Sequence, residues 1–389
     1  MAEETSPAAP LAIYVHWPYC RARCPYCDFN VHVRRSVDHD RWRRALTAEL
    51  EHYHRGTPDR VVESVYFGGG TPSLMEPETV EAVLGNVRRL WAVADGIEVS
   101  LEANPSSADR AHFESFRAAG VTRLSLGVQS LDDRALSFLG RDHDRGQALE
   151  ALSSAREVFP VLSFDLIYAR PGQSAAAWRR ELGEAISFGA DHVSLYQLTF
   201  EPGTAFHAAL GRGTIQSLGD GEQAALYEIA QEDLAAAGLP AYEVSNHARP
   251  GNECRHNLAY WRAGEYLGVG PGAHGRIDSN GERVATVEIR SPERWLAAVE
   301  SRGHAILDET ILAAGDRRNE ILLMGLRLAE GVSRARFREG VRADFESALD
   351  PARLGELCRA GLLALDSHGL RASAAGRERL DSVLSWLLG

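Results

Sequence analysis

Six short β-type runs recur between Leu11 and about Leu210, and amphipathic stretches of helical period lie between them. The runs expected as strands are Leu11–His16, Val62–Phe67, Ile97–Glu102, Thr122–Leu126, Leu162–Ile167 and His192–Leu198. Helices are expected over Asp40–His54, Glu76–Trp91, Asp109–Ala119, Asp132–Leu139 and Ala175–Phe188. Strands that alternate with helices of this length form a parallel sheet, because each crossover returns the chain in the same direction. The expected fold class is therefore α/β, with helices outside the sheet. Six units make most of a barrel but not a closed eight, which gives a partial (β/α)6 barrel. In such folds the chemistry gathers in loops at the C-terminal ends of the strands.

The unusual residues of this chain fall on that rim. Cys20, Cys24 and Cys27 follow the first run, and Gly68-Gly69-Gly70-Thr71-Pro72 follows the second. Glu102 closes the third, Gln129 follows the fourth, and Asp165 lies near the end of the fifth. Zinc normally takes four ligands, as two Cys pairs or a Cys pair and a His pair. Here three thiols share one loop and no fourth accompanies them. An iron–sulfur cubane normally takes four Cys, so three would leave one iron open to an outside ligand.

Composition narrows the chemistry further. The 389 residues hold 42 basic and 54 acidic side chains, a formal charge of −12, and no Lys at all. Schiff-base and pyridoxal-phosphate chemistry need a lysine amine, and a Walker loop needs its Gly-Lys pair, so both are excluded. The acidic balance argues against a nucleic-acid partner. Five Cys, with Cys254 and Cys358 isolated, do not read as a disulfide framework. No run approaches the roughly 18 apolar residues of a membrane span. Residues 1–10 read as a short disordered lead rather than a secretory signal, so a cytoplasmic protein without a transmembrane segment is expected.

Four parts are expected: the lead over 1–10, the barrel over 11–210, an extension over 211–310, and a C-terminal unit over 311–389. The extension opens with a helix, Gly219–Ala237, and continues into a Gly/Asn/His-rich stretch, Asn246–Gly275, read as largely irregular surface. The last part reads as Arg318–Leu328, Ser333–Gly340 and Pro351–Ala360 in helices. A hairpin follows, Leu362–Leu365 with Gly369–Ala372, and then a closing helix, Ala375–Leu388. That order resembles a winged helix.

The Cys-x3-Cys-x2-Cys loop after the first strand resembles the radical-SAM superfamily, whose members bind a [4Fe–4S] cluster and S-adenosylmethionine (SAM) on its open iron. Further runs are similar to the coproporphyrinogen-dehydrogenase-like branch: Tyr14-Val-His-Trp-Pro-Tyr-Cys, Gly-Gly-Gly-Thr-Pro-Ser-Leu, Glu102-Ala-Asn-Pro, Leu-Gly-Val-Gln-Ser and Asp165-Leu-Ile-Tyr. So are Tyr242-Glu-Val-Ser-Asn, His256-Asn-Leu-Ala-Tyr-Trp261, Gly268-Val-Gly-Pro-Gly-Ala-His274 and Leu-Met-Gly-Leu-Arg-Leu, so that the likeness spans the chain from residue 11 onward. The resemblance implies cluster ligation by Cys20, Cys24 and Cys27. It implies SAM contacts from Tyr14, Tyr26, Gly69, Gly70, Thr71, Glu102, Gln129, Arg141 and Asp165. Arg141 suits the SAM carboxylate, since a guanidinium fork pairs with it bidentately.

Two members of the branch differ at the cluster. Oxygen-independent coproporphyrinogen III dehydrogenases carry another Cys two positions after the third and a longer N-terminal extension. Here Asp28 and Phe29 follow Cys27, and about ten residues precede the first strand. Cys-Pro-Tyr-Cys-Asp-Phe and His256-Asn257-Leu-Ala-Tyr260-Trp261 resemble the HemW family of haem chaperones instead. That likeness implies haem as a third cofactor, bound around His256, Asn257, Tyr260 and Trp261. It also implies haem-accepting apo-proteins such as respiratory enzymes, and an electron donor, as partners. On chemistry alone His256 reads more readily as a core histidine capped by Asn257 and packed by two aromatics than as an axial haem ligand, and the resemblance brings the two readings level. His16, Cys254 and His274 are rival ligands. The alternatives in activity are coproporphyrinogen oxidative decarboxylation and another radical-SAM reaction on an unknown substrate.

Overall fold

A computed structural model describes residues 9–107 and 109–389. All but Ala9 and Pro10 of the expected lead lie outside the described residues. Six strands arrive in the expected order: β1 (Pro10–Trp17), β2 (Val61–Gly69), β3 (Ala92–Ala103), β4 (Arg123–Gln129), β5 (Val161–Tyr168) and β6 (His192–Gln197). Each pairs in parallel with the next. The strands are buried on both faces, as in β1 where Leu11, Ala12, Ile13, Val15 and Trp17 are all inside, because helices cover the outer face and the barrel interior closes the other. The connecting helices begin on side-chain caps. Asp38, Asp109, Asp132 and Ser174 each accept a backbone N–H of the first turn, so helix starts follow short polar residues. A further helix, Arg145–Val158, opens on a capping box between Asp144 and Gln147 and fills the crossover from β4 to β5.

The sheet does not stop at six strands. The stretch Asn246–Gly275, expected as irregular, contains β7 (Asn246–Ala248), a helix Arg255–Trp261, and β8 (Glu265–Val269). β8 pairs in parallel with β1, on the edge of β1 that faces away from β2. Then β9 (His274–Ser279), β10 (Glu282–Glu288) and β11 (Ile306–Ile311) continue antiparallel. The result is an eleven-stranded sheet in the order β11-β10-β9-β8-β1-β2-β3-β4-β5-β6-β7. One hydrophobic core runs from Leu11 to Ala305 across the expected boundary at 210.

The C-terminal unit has a separate core, built on Ile321, Leu322, Phe337, Phe345, Leu370 and Leu384 among others. Its helices pack on a three-stranded sheet of Val332–Ser333, Leu363–Leu365 and Gly369–Ala372, the expected helical unit with a hairpin. The closing helix is broken at Arg379 into Ala374–Glu378 and Leu380–Leu388. Among the described residues, no helix is long and apolar enough to cross a membrane.

Candidate functional site

The cysteine loop leaves the C-terminal end of β1 and is anchored along its length. Tyr19–Cys20 bridges to His32–Val33, the Cys27 N–H donates to the Cys24 carbonyl at 3.1 Å, and the Phe206 N–H donates to the Pro25 carbonyl at 2.9 Å. All three thiols are free, half-buried, and line a chamber of about 530 Å³ at the strand ends. Among the described residues no three His, Cys, Asp or Glu side chains gather around a single ion. Three thiols in one loop with no fourth suit a cubane with one open iron. Burial pushes the Cys20 thiol up to about 11, against the Thr71 hydroxyl that donates to it at 3.3 Å, so metal loading must expel protons.

The loop after β2 packs against the cysteine loop backbone to backbone. The Gly70 and Thr71 N–H groups donate to the carbonyls of Trp17 at 2.7 Å and Tyr19 at 2.9 Å. A Cβ on Gly70 would lie 2.7 Å from the Tyr19 carbonyl oxygen and 2.9 Å from that of Trp17, closer than atoms tolerate. Glycine is required there by contact rather than by φ.

Carboxyls and amides stand opposite the thiols. Glu102 accepts from the Tyr66 hydroxyl at 2.8 Å and the Gly69 N–H at 3.1 Å, and burial pushes it up to about 7. Asp165 accepts from Ser125 at 3.3 Å, and burial pushes it up to about 6. Gln129 sits at φ 67 on a bulge of β4, and its Oε1 is buried without a donor. A left-handed glutamine beside an orphaned oxygen is strain held at a site. Arg141 donates to the Gly127 carbonyl at 3.0 Å and approaches the Cys24 sulfur at 3.4 Å, while its Nε is buried without an acceptor.

Of the nine SAM candidates, eight line this upper chamber: Tyr26, Gly69, Gly70, Thr71, Glu102, Gln129, Arg141 and Asp165. Tyr14 does not. It lies below, with its hydroxyl donating to His16 Nδ1 at 3.0 Å, since His16 Nε2 is committed to the Asn30 carbonyl at 3.0 Å.

Tyr14 belongs to a second, lower chamber of about 380 Å³ that shares Glu102, Ser125, Asp165, Tyr196, Ser245 and Arg327 with the upper one. His256, Asn257, Tyr260 and Trp261 all line it. His256 is buried, with Nδ1 3.2 Å from the Ser64 hydroxyl and Nε2 2.9 Å from that of Tyr260. Its ring stacks on Tyr66 at 4.9 Å, and burial lowers it to about 3, so it stays neutral. Of the rival ligands, Cys254 lines the lower chamber with its thiol 3.4 Å from Glu98, whereas His16 and His274 line neither.

Family profiles match both ends of this architecture. One described as the radical SAM superfamily covers residues 14–182, and one described as the HemN C-terminal domain covers 312–378. A mitochondrial radical S-adenosyl methionine domain-containing protein 1 from Danio rerio is 40% identical over 98% of this chain and 88% of its own. A heme chaperone HemW from Mycobacterium tuberculosis is 39% identical over 98% of this chain and 96% of its own. The chain belongs to the HemW family of radical-SAM proteins. Its fold is also that of Escherichia coli coproporphyrinogen III oxidase (HemN), described as a radical SAM enzyme, at a TM-score of 0.81. That match covers 98% of this chain and 91% of the other at 22% identity.

Radical-SAM membership implies a [4Fe–4S] cluster and SAM, and the upper chamber holds donors of the right kinds for both. In this HemW-family chain Tyr196, Glu243, Ser245 and Arg327 also line the chambers, beyond the residues expected from the sequence. The signal existed: Glu243 and Ser245 lie in the Tyr242-Glu-Val-Ser-Asn run, and Arg327 in Leu-Met-Gly-Leu-Arg-Leu.

Proposed function

We propose that this protein is a haem chaperone that binds haem and passes it to acceptor apo-proteins, with a [4Fe–4S] cluster on Cys20, Cys24 and Cys27 and SAM in the upper chamber. When bound, the cluster supplies one electron at a time beside SAM. The chain's own residues orient and shield. Gly69, Gly70 and Thr71 form the backbone wall beside the thiols, Glu102 and Asp165 offer carboxyls to the ligand's ammonium and ribose hydroxyls, and Arg141 offers a fork to its carboxylate. Haem contacts fall to His256, Asn257, Tyr260 and Trp261. The observation that carries the reading is that these four residues share one chamber, and this chamber shares Glu102, Asp165 and Arg327 with the one lined by the three free thiols. Support comes also from relatives named heme chaperones.

The test is anaerobic reconstitution with iron and sulfide, followed by haem titration of the wild type and of His256→Ala. A SAM-responsive cluster spectrum, a Soret band at about one haem per chain, and weaker haem binding by the variant are expected. Equal binding by the variant removes His256 from the haem site. Turnover of coproporphyrinogen would replace the chaperone reading with a dehydrogenase.

A further inference from the structure

Arg327 belongs to the C-terminal unit, two residues beyond the helix Ala314–Gly325, yet its side chain lines both chambers of the barrel. It is held from two directions. Nη2 donates to Glu243 Oε2 at 3.1 Å, and the guanidinium carbon lies 4.6 Å over the ring of Trp261. Glu243 is itself fully buried, and its other oxygen accepts from the Ser245 N–H at 2.9 Å and the Asn246 amide at 2.5 Å. The Ala329 N–H donates to the Tyr242 carbonyl at 2.9 Å, which fastens the next turn to the same strip. A long side chain normally loses entropy when a ligand orders it, and here the fold has ordered it in advance.

A guanidinium carries five N–H groups. Among the described residues, the Arg327 side chain bonds through Nη2 to Glu243, and Nε has no acceptor. The other arginine of the lower chamber, Arg123, is held by Glu98 at 3.0 Å and by the Asn252 carbonyl at 2.7 Å with only Nη1 unpaired, and it does not line the upper chamber. Among the described residues Arg327 is the arginine that lines both chambers, keeps unpaired N–H groups and stacks on a flat aromatic.

We propose that Arg327 anchors a carboxylate of the ligand in the lower chamber. The proposal rests on the haem reading, in which that carboxylate is a propionate. A fork of N–H groups pairs bidentately with a carboxylate, and Trp261 beneath it offers a face to a planar ring system. Glu243 takes up Nη2 and leaves the remaining N–H groups for the ligand, and burial raises the other carboxyls of the chamber, Glu102 and Asp165, to about 7 and about 6, which lessens their opposition. The C-terminal unit then completes the site as well as packing beside it.

The experiment compares haem with haem dimethyl ester, which keeps the ring and iron but lacks both carboxylates, in the same detergent. Wild-type protein is expected to bind haem about tenfold more tightly than the ester. Arg327→Gln should lose about that factor for haem, leave the ester unchanged and so abolish the discrimination, and Arg327→Lys should keep part of it. A purely structural Arg327 would weaken both ligands equally, and melting curves of the two variants report any loss of fold. Wild type that binds both porphyrins alike, or Arg327→Gln that still prefers haem, overturns the proposal. Wild type that binds neither overturns the haem reading and takes this proposal with it.

Discussion

The upper and lower chambers share lining residues but differ in which groups they leave without partners. In the upper chamber the thiols are free, Gln129 Oε1 and Arg141 Nε are buried without partners, and Gln129 holds a left-handed backbone. In the lower chamber His256 has a hydroxyl on each ring nitrogen, the His192 Nε2 lies 2.9 Å from the Tyr242 hydroxyl, and Asn257 reaches the same hydroxyl at 3.5 Å. Folded proteins rarely leave buried polar groups unpaired, so deficits mark where something else binds. The upper chamber is built around missing partners. The lower one pairs its imidazoles but leaves Arg123 Nη1, Asn246 Oδ1, Trp261 Nε1 and Arg327 Nε buried without partners, so a ligand there meets open donors yet must displace a bond such as His256–Tyr260 to reach the imidazole.

The largest effect should come from the thiols. Cys24→Ser and Cys27→Ser are each expected to reduce reconstituted iron from about four per chain to near zero, with unfolding unchanged, because these side chains are half-buried at a rim and outside both large cores. Iron and sulfide analysis beside a denaturation curve separates the two. Full iron in either variant would erase the contrast with the lower chamber.

His256 should behave the other way round. Replacing it with Ala removes a buried ring and leaves the hydroxyls of Ser64 and Tyr260 unpaired, for a loss of about 3 kcal/mol. Chemical denaturation without haem measures this directly. A variant as stable as wild type would mean that the lower chamber also waits for its ligand.

The sequence made the rim readable because each strand end carries a chemically distinctive residue and the βα period places those ends together. β8 was not readable, for local reasons. Gly268 lies inside it and Gly264 and Gly270 flank it, which lowers strand propensity. Its partner β1 lies some 250 residues earlier. The structure supplies the reason for one of these glycines: a Cβ on Gly268 would sit 2.1 Å from the His274 carbonyl oxygen, where the chain doubles back. Arg327 was hidden for a different reason. Its contacts with Glu243 and Trp261 join segments that no periodicity relates.

A weaker effect is expected at the seam where the sheet extension meets the helix His39–His54, where two buried carboxyls face each other away from both chambers. Glu49 and Glu288 are both fully buried. Glu49 accepts from the Gly270 N–H at 2.8 Å, the Ala305 N–H at 3.0 Å and Trp295 Nε1 at 3.0 Å, while the Tyr53 hydroxyl donates to Glu288. Glu288 Oε2 has no conventional donor, and the neighbouring carboxyl is Glu49. One proton held between the two carboxyls is the expected way to satisfy the pair. Burial raises both groups, Glu288 to about 7, with Arg302 as the cation opposing it. A folded pKa above the unfolded value of about 4.3 means that the stabilisation is complete at low pH and lost as pH rises through the folded value. Stability should therefore fall by about 1–2 kcal/mol between pH 6 and 8. Glu288→Gln supplies a permanent N–H to Glu49 in place of the proton, so the difference between variant and wild type should grow across that window in the variant's favour. Urea denaturation at three pH values reads it, and parallel curves for the two proteins would show that the carboxyls do not share a proton.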